Sequence, residues 1–93
     1  MVVGILELKL VVRDARSLKD KRRVVKSVKD RISARFNVSV AEVDRLDARQ
    51  HAVLGAAVVS NSASHAVGQL SKVVDLVRAV PSAELADYSI ETL

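Results

Sequence analysis

The 93-residue chain contains no cysteine and no tryptophan, with one phenylalanine, one tyrosine, one proline and three glycines. Without cysteine there is no disulfide and no thiolate metal ligand, which suits a reducing cytoplasm. Phe36 and Tyr88 are too few to build the exposed aromatic platforms on which sheet-based RNA readers stack bases. No apolar run reaches the ~20 residues that span a bilayer. The longest, Ala52 to Val59, has the length of a buried strand. "MVVGILELKLVV" lacks a basic leader and a small-residue cleavage site, so no signal peptide is expected and the cytoplasm is the expected location.

What the chain has is an uneven distribution of charge. From Arg13 to Arg35 there are ten Lys/Arg against three Asp, a local charge of +7, within a chain whose formal net charge is +4. A basic segment is therefore joined to a mildly acidic body. At this length one domain is expected, residues 1–93, with a core that has to be well packed because small domains bury a smaller share of their surface.

Hydrophobic periodicity orders the rest. Leu6, Leu8, Leu10 and Val12 alternate with Glu7 and Lys9, the pattern of a strand with one buried face. Ser17 and Asp20 form a variant capping box, which predicts a helix from Leu18 to about Ala34. Leu18, Val24, Val25, Val28, Ile32 and Phe36 then fall within an arc of about 120°. "NVSVAEV" predicts a second strand, with a bulge near Ala41–Glu42 explaining the change of parity between Val40 and Val43. After a turn around "DRLDA", "QHAVLGAAVVS" reads as a central strand and "HAVGQLSKVVDLVRAV" as a second helix. Val67, Leu70, Val73, Val74 and Val77 form its stripe, Gly68 weakens it and Pro81 ends it. "AELADYSIET" closes the chain as a strand. This order predicts an α+β, ferredoxin-like βαββαβ sandwich, a four-stranded antiparallel sheet with both helices on one face.

Three candidate surfaces follow. The first helix carries a cationic band of Lys19, Arg22, Arg23, Lys26 and Lys29, approached by Arg13 and Arg16. Asp30 alone dilutes it, so i,i+4 pairing is poor and a polyanion would relieve the repulsion. The band is a solvated helix face, or it contacts phosphates of duplex or folded RNA, or it meets an acidic protein surface or membrane. Lys21, Arg31 and Arg35 are expected to cover the core margin with their methylene stems. If the first and third strands run side by side in parallel, both helices begin at one edge, and Ser17, Asn61, Ser62 and Ser64 converge on a possible anion site. The plainer reading is that these residues cap helices. The second face of the sheet has no helix to cover it, and Val3, Ile5 and Val11 point there as a possible homodimer face.

No catalytic, cofactor or metal constellation stands out, and no enzyme activity, small-molecule substrate or membrane partner is expected. His51 and His65 have no neighbouring nucleophile or metal-ligand pattern. Asp44 and Asp47 flank a turn, which explains them. Small acylphosphatases share the strand order, but "RDARS" offers no glycine-rich anion loop after the first strand.

"ARSLKDKRRVVKSVKDR", "FNVSVAEVD" and "LGAAVVSN" resemble, in the same order and over nearly the whole chain, the small bacterial YlxP-like proteins. The resemblance implies a ferredoxin-like single domain. It also implies a ribosome- or RNA-associated accessory role, because genes of this family commonly lie among those for translation initiation and ribosome maturation. Members often carry tryptophan before the glutamine in the segment corresponding to "DARQHA", where this chain has Arg49, so no aromatic role is carried over to that position.

Overall fold

The computed structural model describes all 93 residues. Six elements follow in order: β1 (Val2–Val11), α1 (Leu18–Arg35), β2 (Ser39–Asp44), β3 (His51–Ser60), α2 (Ala63–Arg78) and β4 (Glu84–Thr92). The strands form one sheet in the order β2-β3-β1-β4, with every neighbouring pair antiparallel and both helices packed on one face. This is the ferredoxin-like βαββαβ sandwich.

Each element follows from local chemistry. In β1 the even-numbered leucines Leu6, Leu8 and Leu10 are buried, while Glu7 and Lys9 face solvent on the other side. Full burial of each such leucine is worth about 1.5–3 kcal/mol. Ser17 caps α1 by accepting a hydrogen bond from the Asp20 amide at 3.1 Å, and the Asp20 carboxylate accepts from the Arg16 amide at 3.0 Å. The reciprocal box satisfies two amide donors at the helix entry. Val25, Val28 and Ile32 bury the inner face of α1, and Leu70, Val73, Val74 and Val77 that of α2.

The detail departs from expectation in two places. Ala66, not Val67, holds the first core position of α2, and Val67 is exposed. The reason is close approach: a Cβ on Gly4 of β1 would lie 3.0 Å from Leu70 and 3.2 Å from Ala66, so only small residues fit where α2 meets the sheet. The β2 bulge falls at Val43, between Glu42 and Asp44, rather than at Ala41–Glu42. Alternation is therefore kept through Glu42, which turns toward α1, while Val43 crosses to the open face and packs over Gly55.

Candidate nucleic-acid interface

The cationic band lies along the outer side of α1. Lys19, Arg22, Arg23 and Lys26 are exposed and Lys29 is half-buried. Its carboxylate partner is Asp30, which accepts from Lys26 at 2.7 Å across one helical turn. Arg23, Lys26 and Arg31 border a shallow depression of about 450 Å³, and Arg31 and Arg35 border another of about 360 Å³ toward the end of α2. Arg31 and Arg35 are exposed, and both line that second depression with Leu76 and Ala79, at the margin between α1 and α2. Arg13 is diverted from the band. Its Nε donates to the Glu84 carboxylate at 2.7 Å, an exposed pair that ties the end of β1 to β4. The hydrogen bond, and then the charge of Arg13, hold the Glu84 carboxyl below its ordinary range, and the same contacts raise Arg13.

The expected convergence of helix starts does not occur. β1 and β3 are antiparallel, with Val2 opposite Ser60 and Val11 opposite His51. The β2–β3 hairpin reverses the third strand, so α1 begins at one end of the sheet and α2 at the other. Ten-residue strands separate those ends by about 30 Å. Ser17 therefore lies far from Asn61, Ser62 and Ser64, and the four build no common anion site. Ser62 caps α2 by accepting from the His65 amide at 3.3 Å, with the Ser64 hydroxyl 3.1 Å away.

The open sheet face carries Val3, Ile5 and Val11 as expected, all half-buried. Val43 and Val59 add exposed apolar surface, and Glu7 and Lys9 lie between them. Neither aromatic ring is there. Tyr88 lies opposite Leu8 on the helix-covered side, with the Arg78 guanidinium 5.4 Å from its centroid, and Phe36 packs at the core's edge.

The residue most misjudged by its chemistry is Lys21. It is fully buried, and its Nζ donates to the carbonyls of Arg45 (2.8 Å), His51 (3.2 Å) and Leu46 (3.3 Å). The Glu42 carboxylate lies 2.9 Å from the same nitrogen, but its Oε2 accepts no hydrogen bond, so that contact is charge against charge. Lys21 thus binds the first turn of α1 to both ends of the β2–β3 connection. One signal was available: on a helical wheel Lys21 sits at about 300° from Leu18, in the middle of the apolar arc. Gln50 makes a second tether, donating through Nε2 to the carbonyls of Arg13 (2.9 Å) and Ala15 (3.2 Å).

A ferredoxin-like sandwich with a basic first helix is the class these observations define. Residues 3–90 match a family described as "Protein of unknown function (DUF503)". Over 83 residues the chain is 34% identical to the uncharacterized protein YlxP of Bacillus subtilis (strain 168), covering 89% of this chain and 90% of that protein. The chain belongs to this family of YlxP-like proteins. Among solved structures it is similar to a dimeric ferredoxin-like protein of unknown function from Thermobifida fusca, at 14% identity and a TM-score of 0.42, covering 98% of this chain and 90% of that one. No helix is long and apolar enough to cross a membrane.

Proposed function

We propose that this protein is a non-enzymatic, RNA- or ribosome-associated accessory factor that contacts the phosphate backbone of structured RNA through α1. The observation that carries the reading is the exposed ridge of Lys19, Arg22, Arg23 and Lys26, in which one carboxylate, Asp30, answers the cations. Such a ridge repels itself in isolation and is stabilised by a polyanion. Its 18-residue helix is about 27 Å long, enough to span several phosphates of one groove. Recognition is by shape and phosphate, since neither aromatic ring lies on the open sheet face, where sheet-based readers stack bases. The translation-linked gene context implied by the family resemblance accords with this role.

Changing Arg22, Lys26 and Lys29 together to Glu abolishes binding to folded RNA while leaving the melting temperature nearly unchanged. With four or five phosphates neutralised, log K falls against log salt with a slope of roughly −3 to −4.5. A flat salt response, or unchanged binding by the triple variant, refutes the reading. The rival is a homo-oligomeric interaction module that uses the open sheet face, favoured by the half-buried Val3, Ile5 and Val11 beside exposed Val59. It requires a dimer at micromolar concentration that Ile5→Lys or Val11→Lys dissociates, with no RNA bound at physiological salt.

A further inference from the structure

The end of the molecule at which α1 begins gathers cations from two separate loops. Arg16, before α1, and Arg49 and His51, at the close of the β2–β3 connection, line one open depression of about 460 Å³ together with Ala15 and Gln50. No carboxylate lines it. This is the end that the antiparallel β1–β3 pairing creates, because Val11 meets His51 there.

What separates this cluster from ordinary surface arginines is how its backbone is held. Gln50 joins the two loops through the carbonyls of Arg13 and Ala15, and its own carbonyl accepts from the Val12 amide at 2.8 Å. Buried Lys21 holds the carbonyls of Arg45, Leu46 and His51. Arg45 has a φ of 59°, a left-handed conformation that costs energy in a residue with a side chain and persists where its surroundings impose it. The Arg45 carbonyl also accepts from the Ala48 amide at 3.0 Å, closing the turn immediately before Arg49. The loops bearing Arg16 and Arg49 are therefore fixed relative to each other before any ligand arrives, which lowers the ordering cost of binding. The α1 N-terminus does not supply the site, since its cap and the Asp20 carboxylate already occupy it.

We infer that this depression is a phosphate site, with Arg16 and Arg49 as paired guanidinium donors and His51 at its rim. The ligand chemistry it fits is a phosphomonoester, whose charge of about −1.5 to −2 near neutral pH matches two guanidinium groups and whose oxygens accept their forked hydrogen bonds. Resting on the RNA reading above, the phosphomonoester is the terminal phosphate of an RNA lying along α1. A small free phosphate compound is the other source of the same chemistry.

The test uses the intact protein and three probes: inorganic phosphate, and one short oligoribonucleotide carrying either a 5′-phosphate or a 5′-hydroxyl. Amide and side-chain NMR shifts induced by inorganic phosphate are expected to centre on Arg16, Arg49 and His51, and to vanish in Arg49→Gln with the fold intact. The 5′-phosphate oligomer is expected to bind about tenfold more tightly than its hydroxyl twin, the scale of one charge-assisted contact, and Arg49→Gln equalises the two. Equal affinities with the phosphate shifts still present assign the site to a free phosphate compound. Phosphate shifts without any RNA binding keep the site and remove the RNA reading. Phosphate shifts confined to the α1 ridge, or unchanged in Arg49→Gln, overturn the site, even if the α1 triple variant still loses RNA.

Discussion

Replacing Lys21 by methionine keeps most of the side chain's volume and removes its charge and three donors. The cost follows from what is left behind. Three carbonyls, of Arg45, Leu46 and His51, lose their shared donor, and the Glu42 carboxylate, 11% exposed, loses its countercharge. Breaking a buried pair from one side typically costs about 3–5 kcal/mol. Glu42 retains slight access to water, which places Lys21→Met near the lower end, at about 3 kcal/mol. A domain of this size has roughly 5–14 kcal/mol of total stability, so the melting temperature falls by about 12–24 °C. Glu42→Gln leaves the buried ammonium without its countercharge, but Lys21 keeps its three carbonyl acceptors, so the cost is about 2 kcal/mol, below that of Lys21→Met. The double variant Lys21→Met/Glu42→Gln should be more stable than Lys21→Met alone, with a coupling energy of at least about 1 kcal/mol. Urea denaturation of the four proteins closes the cycle. A loss below about 1 kcal/mol for Lys21→Met, or strict additivity in the cycle, would show that the hairpin is held by packing and not by this ammonium.

Two glycines should respond oppositely to alanine. Gly68 lies in mid-α2 with open space where a Cβ would sit, so Gly68→Ala raises stability by about 0.5–1 kcal/mol. Gly4→Ala meets Leu70, Val58 and Ala66 and lowers it by about 1–3 kcal/mol, and thermal melts read both changes. The Arg13–Glu84 pair gives a pH signature: because Glu84 is held below its ordinary range, its contribution is present above the unfolded carboxylate pKa and lost as pH falls through the folded value. At low salt, wild type should therefore exceed Glu84→Gln in melting temperature near neutrality, and the difference should disappear in strong acid. As both side chains are exposed, the gap is small and closes with added salt.

How much of this was legible beforehand depended on whether a feature was local. Strand alternation in β1, the Ser17–Asp20 box and the valine stripes depend on residues a few positions apart, and each appears where the sequence puts it except at Val67, whose core position Ala66 takes. The ridge of α1 was equally visible, because helical spacing alone determines which cations share a side. Strand direction was not local. Ser17 comes beside Ser62 only if β1 and β3 are parallel, although a tight β2–β3 connection reverses β3 in any sheet of this order. Lys21 was hidden for another reason. Charge is usually read as a sign of solvent, and the carbonyls that make burial tolerable lie 24 to 30 residues away. The cluster of Arg16, Arg49 and His51 combines both difficulties, since it needs the correct end of the sheet and the two tethers that bring its loops together.

The structure divides the basic segment from Arg13 to Arg35 into groups with different consequences. Arg13 is spent on Glu84 and Lys26 on Asp30, and Lys21 is sealed inside the fold. Lys19, Arg22 and Arg23 remain as open cations on the ridge, while Arg16 faces the pinned loops at its start. Ridge and depression should therefore separate under perturbation. Loosening the hairpin through Lys21→Met disturbs the backbone that carries Arg49 but leaves the exposed side of α1 unchanged in sequence and charge. At a temperature where that variant remains folded, its affinity for a 5′-hydroxyl oligomer should stay close to wild type, while any advantage of the 5′-phosphate oligomer shrinks. Equal loss for both oligomers would mean that the two surfaces act as one, and that the tether serves the whole basic side instead of its end.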